Sequence, residues 1–223
     1  MKEKLEHMLE DIKKDIIFMA NEVEDAMYNA LKALEKQDKS LAEKVSKSDK
    51  KINYREVEIE KMILSLMALQ QPVAVDLRFM VVALKMNNDL ERIGDHSKGI
   101  AKVAAKLTGE PYIKSFEKIP ALGKLTRNML RDAVQAFINI NTELALEVRK
   151  RDKEVDVLFS EIYNSVLNEM TETKNNIHQG VELISVCRHL ERISDLSKNL
   201  SEDVVFMKEA KIIRYGIEKN KVS

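Results

Sequence analysis

The sequence predicts an all-α protein whose six long helices form two pseudo-symmetric antiparallel three-helix bundles. Helix-breaking residues are scarce, with six Gly and three Pro in 223 residues, and apolar side chains recur every three or four positions over long stretches. In addition, a nine-residue phrase, meaning a short sequence motif, begins at Leu90 and occurs again at Leu190. The two copies share seven residues: Leu, Glu, Arg, Ile, Asp, Ser and Lys. A long internal repeat of this kind indicates two similar halves.

The first half contains three predicted helices. Uninterrupted helical spacing predicts the first over residues 3–35 and the second over residues 41–69. The second helix ends ahead of Pro72, because the proline ring disfavours a helical conformation at the preceding residue and has no N–H to donate. The third helix is predicted over residues 76–107, with Asp76 as its N-cap.

The second half repeats this pattern after a connector. Residues 109–120 contain one Gly and two of the three prolines, which is typical of a loop between helices. Helices are then predicted over residues 121–139, 143–170 and 177–207. The predicted organisation is a first three-helix repeat (1–108), a connector (109–120), a second three-helix repeat (121–209) and a C-terminal tail (210–223).

The charge balance excludes several classes of protein. Basic and acidic residues number 37 each, so the net charge is zero, which argues against a protein that coats nucleic acid or an anionic membrane. With no secretory signal and no apolar stretch long enough to cross a bilayer, we expect a cytoplasmic protein without membrane insertion. The single cysteine, Cys187, lies in an apolar helical pattern, which predicts a buried thiol and not a nucleophile.

The repeated phrase places two carboxylates four residues apart in each half. Glu91 is followed by Asp95, and Glu191 by Asp195, so each pair lies on one side of a helix. Like charges at this spacing repel by roughly 0.2–0.5 kcal/mol. The helical stripe that carries Glu91 and Asp95 begins with apolar residues, which predicts that its first half is buried and that the acids lie at the edge of a packed interface.

The second helix of each half adds further oxygen ligands. Asp49 and Asn53 are also four residues apart, and Asp152 and Asp156 match them at an offset of 103, while Glu56 interrupts an apolar stripe. Partly buried carboxylates need protons, basic partners or metal ions. Oxygen-rich sites with few imidazoles suit Mg²⁺, Mn²⁺ or iron.

Composition and spacing leave two interpretations open, a metal site and an acidic face that is solvated or paired with basic residues. Arg92, Arg192, Lys98 and Lys198 are close enough in sequence to supply that pairing. A carboxylate-bridged metalloenzyme is a further alternative, and a purely structural helical scaffold is another. The chain lacks a Glu-x-x-His pattern, a Gly-rich phosphate loop and a Ser/His/Asp constellation, which argues against an enzyme.

These motifs resemble those of the PhoU family of phosphate-uptake regulators. The stretch Gln-Pro-Val-Ala-Val-Asp-Leu-Arg at residues 71–78, followed by the acidic phrase at 90–95 and its second copy at 190–195, carries the resemblance. It extends over essentially the whole chain and implies a non-catalytic cytoplasmic adaptor. Such an adaptor links the ATPase subunit of a phosphate ABC transporter to a sensor histidine kinase and represses the phosphate-starvation response.

The resemblance also implies a multinuclear metal site on each bundle, holding Mg, Mn, Fe or Zn ions. Asn53 stands where the family commonly has an acid, which predicts a weaker first site. The candidate ligands are Asp49, Asn53, Glu56, Glu91 and Asp95 in the first half and Asp152, Asp156, Glu191 and Asp195 in the second.

Surplus apolar surface on the long helices predicts a homodimer.

Overall fold

The computed structural model describes residues 2–213, with side chains from residue 5 onward, and confirms the all-α prediction. None of the described helices is both long and apolar enough to span a membrane. A short 3-10 helix, Lys114–Lys118, precedes the fourth α-helix. The α-helices are α1 (Lys2–Lys36), α2 (Lys39–Gln70), α3 (Ala74–Lys106), α4 (Ile119–Asn139), α5 (Thr142–Glu172) and α6 (Asn176–Glu209).

The helices pack as two groups of three that meet along α3 and α6. Helices α1, α2 and α3 pack on one another, as do α4, α5 and α6, and α1 also contacts α4. Arg78 near the start of α3 donates to the backbone carbonyl of Met207 near the end of α6. At the opposite ends, Lys106 pairs with Glu182 at 2.8 Å. Helices α3 and α6, which are equivalent in the repeat, therefore run antiparallel.

The core follows the apolar stripe of α3. Met86, Leu90 and Ile93 have no exposed surface, and all three belong to one continuous apolar cluster. At the N-terminal end of this stripe, Phe79 is partly buried and stacks on Phe137 of α4, with ring centroids 6.2 Å apart. This aromatic pair joins the apolar interiors of the two halves.

Two predicted helix starts differ from the structure. Helix α3 begins at Ala74 after Val73, so Asp76 is not the N-cap but lies in the first turn. There its negative charge interacts favourably with the positive end of the helix dipole. Pro120 is not in the connector but in the first turn of α4. A proline is tolerated there because the first N–H groups of a helix have no intrahelical partner.

The connector is held by side chains of the second half. The Glu169 carboxylate, on α5, accepts from the backbone N–H groups of Lys114 and Ser115 at 3.0 and 2.8 Å, and from the Ser115 hydroxyl. Buried Gln179 of α6 accepts from the Ile113 N–H at 2.6 Å. The connector is therefore bound to α5 and α6 and is not a free linker.

The apolar beginnings of the acid-bearing stripes are exposed at the bundle tips, where the prediction that they are buried is wrong, whereas Leu84 and Ile184 farther along are partly buried against the core. Leu77 on α3 is 39% exposed, and Val181 on α6 is 54% exposed. Both lie shortly after a hairpin turn, at the tip of a bundle, where the preceding helix has just ended. Leu69, Val73 and Val75 around the first of these turns are exposed as well.

The predicted tail is described only in part. Helix α6 ends with Ala210 in a left-handed conformation, φ 57°, and the chain continues without helix to Ile213. Ile213 is buried, and its carbonyl accepts from Arg149 at 3.3 Å. Residues 214–223 of the predicted tail lie outside the described part of the chain.

Candidate metal centres

The first carboxylate cluster lies between α2 and α3. Asp49 is 4% exposed, and its Oδ2 accepts from the Lys98 amine at 2.6 Å. The same amine is 3.6 Å from Oδ1 of Asp95, on the preceding turn of α3. Glu56 and Glu91 are both partly buried beside this pair. Helical spacing therefore brings acids of α2 and α3 together around one lysine.

The acids of the first cluster repel one another. Burial raises the pKa of Glu91, and the charges of Asp95, Glu56 and Asp49 raise it further. Glu56 therefore belongs to the cluster, as its place in the apolar stripe predicts. Asn53 is exposed and contributes no charge. The first cluster thus contains four carboxylates despite the asparagine, because Glu56 supplies the acid that Asn53 does not.

One oxygen of the first cluster lacks a hydrogen bond. Oδ1 of Asp49 is buried and has no donor among the described residues. An unpaired buried polar group costs about 1–3 kcal/mol, and more when it is charged. A hard cation or a proton would remove this cost, and the oxygen-only donor set suits Mg²⁺ or Mn²⁺. The chemistry of these donors therefore suits a bound cation.

The second cluster repeats the first between α5 and α6. Asp152, 5% exposed, accepts from the Lys198 amine at Oδ2, as Asp49 does from Lys98. Its other oxygen, Oδ1, accepts from the hydroxyl of buried Ser194 at 2.9 Å. Both oxygens of Asp152 are therefore paired. The sequence alone indicates only that serine replaces glycine at this point of the repeat, not that its hydroxyl bonds to Asp152.

The remaining acids of the second cluster are also crowded. Burial raises the pKa of Glu191, the charge of Asp195 raises it further, and Arg192 opposes these effects. Burial raises the pKa of Asp156 as well, followed by the charges of Asp152 and Asp195. Each cluster thus contains four carboxylates, and in each cluster two of them have a raised pKa, Glu56 and Glu91 in the first and Asp156 and Glu191 in the second.

Basic side chains occupy both clusters. Lys98 and Lys198 bind the buried aspartates, and Arg192 lies 3.2 Å from Asp195, whereas Arg92 binds Asp89 at 3.5 Å. Across the described residues, no three His, Cys, Asp or Glu side chains converge as a ready ion site. Because the lysine amines already bind the buried aspartates, a cation would compete with them, and the lysine side chain is long and flexible enough to move aside.

Two histidines meet beside the clusters, a contact that sequence reasoning missed. Nδ1 of His96 on α3 is 3.1 Å from Nδ1 of His189 on α6. Burial, then the charges of His189 and Arg92, lower the pKa of His96 to about 4, and burial also lowers that of His189. Both rings are therefore neutral at pH 7, and one Nδ1 donates to the other.

The cysteine prediction is confirmed. Cys187 is 1% exposed, in the apolar interior of the second half. Burial raises the pKa of its thiol to about 12. The thiol therefore stays protonated at neutral pH and is a poor nucleophile.

Known proteins match this arrangement of two related three-helix units. The PhoU domain family matches the chain twice, over residues 16–104 and over residues 119–204. The chain belongs to the PhoU family. This confirms the family that the sequence motifs indicate, and it places the chain among regulatory accessory proteins and not among enzymes.

Individual PhoU relatives match nearly the whole chain. The PhoU homologue of Clostridium acetobutylicum, described as a phosphate-specific transport system accessory protein, is 38% identical over 89% of this chain and 91% of its own. The Aquifex aeolicus homologue, with the same description, is 36% identical over 98% and 99%. The crystal structure of PhoU from Pseudomonas aeruginosa superposes with a TM-score of 0.90 at 30% identity, covering 92% of this chain and 99% of that one.

Proposed function

We propose that this PhoU protein is an accessory protein of a phosphate-specific transport system that regulates transport through protein contacts and binds metal ions through its two carboxylate clusters. The family match to both halves supports the role in phosphate transport. Relatives that match nearly the whole chain are described as phosphate-specific transport system accessory proteins. Four crowded carboxylates in each half, one with an unpaired buried oxygen, support the metal binding.

The first cluster would hold a cation with Asp49, Glu56, Glu91 and Asp95. Asn53, one turn after Asp49, would add an amide oxygen. A bound divalent cation supplies positive charge, which screens the carboxylates and links α2 to α3. Mg²⁺, Mn²⁺, iron and Zn²⁺ all accept carboxylate oxygen.

The second cluster would hold its cation in the same way with Asp152, Asp156, Glu191 and Asp195. There the cation links α5 to α6. Because each cluster joins the second and third helices of its half, metal binding would stiffen both bundles on matching surfaces. We expect such stiffened surfaces to be the ones that a partner recognises.

The proposed partners are the ATPase subunit of a phosphate ABC transporter and a sensor histidine kinase, both met in the cytoplasm, with the starvation response repressed when phosphate is plentiful. Exposed apolar residues at the bundle tips, such as Leu69 and Val73, supply surface for protein contacts. The same surplus apolar surface supports a homodimer. In this role the protein binds neither nucleic acid nor the bilayer interior.

Removal of the first acid pair tests the metal binding. We expect protein purified without chelator to contain divalent metal, and Glu91→Ala/Asp95→Ala to lose at least half of it, because two of four carboxylates leave the first cluster. Metal content is measured by plasma mass spectrometry. Glu143→Ala/Glu147→Ala is the matched control, since these exposed acids of α5 have the same spacing. Equal metal content in wild type and in the first variant contradicts the site.

A capture experiment tests the transport role. The immobilised protein is expected to retain the ATPase subunit of a phosphate transporter from the same cell, and to retain less of it after EDTA treatment or in the Glu91→Ala/Asp95→Ala variant. The ATPase subunit of an unrelated ABC transporter serves as the control. Failure to retain the phosphate-transport subunit in buffer with Mg²⁺ or Mn²⁺ contradicts the proposed adaptor.

A further inference from the structure

The two clusters differ at one position of their third helices. The third helices carry Gly94 and Ser194 at equivalent places in the repeat. In the second half the Ser194 hydroxyl donates to Oδ1 of Asp152 at 2.9 Å. In the first half Gly94 has no side chain, and the corresponding Oδ1 of Asp49 is buried without a donor among the described residues.

A second position changes together with this one. A Cβ added to Gly94 would lie 3.1 and 3.3 Å from the Cδ1 and Cγ2 atoms of Ile52, so the isoleucine would have to shift. The residue equivalent to Ile52 in the second half is Val155, which is one methylene smaller. Gly94 therefore lies against Ile52, and the equivalent positions of the second half carry serine and valine. The smaller residue on the third helix thus accompanies the larger residue on the second helix, and the reverse holds in the other half.

The basic residues around the two clusters also differ, and they compensate the second cluster more than the first. Arg192 lies 3.2 Å from Asp195 and 3.6 Å from Glu191, so it partly neutralises the second cluster. The equivalent Arg92 binds Asp89 instead, at 3.5 Å. The first cluster therefore contains as many carboxylates as the second but receives less compensation from the chain itself.

We propose that the two clusters bind cations with unequal affinity, and that the first is the tight site. The Ser194 hydroxyl satisfies in the second cluster the oxygen that the first leaves for a cation. This inference rests on the proposed metal binding and reverses the order predicted from Asn53, because Glu56 makes the carboxylate numbers equal. A hydrogen bond to a charged group changes an equilibrium by roughly tenfold to a hundredfold, and we expect that difference in affinity.

Exchanging the two positions between the halves tests the proposal. Mn²⁺ is titrated into metal-free protein, and free Mn²⁺ is followed by its electron paramagnetic resonance signal. Wild type is expected to bind in two steps at least tenfold apart. G94S/I52V, which gives the first cluster the serine, is expected to weaken the tight step at least tenfold. S194G/V155I is expected to strengthen the weak step by a similar factor.

Acid-pair variants assign each step to its cluster. Glu91→Ala/Asp95→Ala should abolish the tight step, and Glu191→Ala/Asp195→Ala should abolish the weak one. Thermal unfolding followed by circular dichroism verifies that each variant is folded. If G94S/I52V does not fold, Ser194→Ala tests the same hydroxyl from the second cluster. It removes the hydroxyl alone and should strengthen the weak step, as S194G/V155I does.

The outcomes separate the proposal from the function on which it rests. Two steps of equal affinity, or a tight step that disappears with the acids of the second cluster, overturn the unequal binding and leave metal binding in place. No Mn²⁺ bound by either cluster overturns both. A tight step that G94S/I52V leaves unchanged also overturns the role assigned to Gly94.

Discussion

Replacing Phe137 with alanine is expected to lower the free energy of unfolding by about 3–5 kcal/mol. Phe137 is 1% exposed and is among the largest fully buried side chains. Its ring lies in the core of the second half and also stacks on Phe79 of α3. Truncation leaves a cavity where the two halves meet, and the long helices around it are too rigid to close it fully.

Urea unfolding at 25 °C, followed by far-ultraviolet circular dichroism, measures this loss. Tyr54→Ala is the control, because Tyr54 is 70% exposed and its truncation should change stability by no more than about 0.5 kcal/mol. Because α3 still packs on α6 and α1 on α4, the variant should still unfold in one transition. A loss below that of an average surface substitution would show that the site repacks and that the ring contributes little.

Replacing Glu169 with alanine is expected to destabilise the protein by about 2–3 kcal/mol. The carboxylate accepts from the N–H groups of Lys114 and Ser115 and from the Ser115 hydroxyl, and Ser115 is itself buried. Hydrogen bonds to a charged group contribute about 1.5–3 kcal/mol, and a buried donor left unpaired adds its own cost. The partial exposure of the carboxylate keeps our estimate below the sum of these terms.

Amide hydrogen exchange distinguishes this effect from general destabilisation. In Glu169→Ala the exchange of the amides of residues 113–118 should accelerate more than that of the amides of α3, because the connector loses its attachment to α5. Glu172→Ala, an exposed acid near the end of the same helix, is the matched control and should leave both exchange rates unchanged. Uniform acceleration across the chain would mean that Glu169 does not hold the connector specifically.

The sequence predicted most of the fold because long helices depend on local information. Apolar spacing and the scarcity of Gly and Pro placed all six helices, and the repeat grouped them into halves. The errors lie at helix ends and tips. Asp76 is a good N-cap residue, but α3 begins two residues earlier, and Leu77 is apolar yet exposed because no helix covers that part of the tip. Local spacing does not show which neighbour is present.

The candidate site was predictable only as far as spacing along one helix determines it. The Glu91–Asp95 pair and its repeat could be read directly, and the structure places acids of α2 beside the first pair and acids of α5 beside the second. The bond from Ser194 to Asp152 and the contact of His96 with His189 depend on how one helix is shifted along another. That register is set by packing between distant segments, and a single sequence does not contain it in readable form.

The antiparallel contact between α3 and α6 also bears on how such a chain could arise. Because these helices are equivalents in the repeat, the surface that one half presents is the surface that the other half receives, as in a symmetric dimer. The two halves are arranged like the two subunits of a homodimer joined in one chain. Fusion fixes their stoichiometry, and it allows positions 94 and 194 to diverge, which two identical subunits could never do.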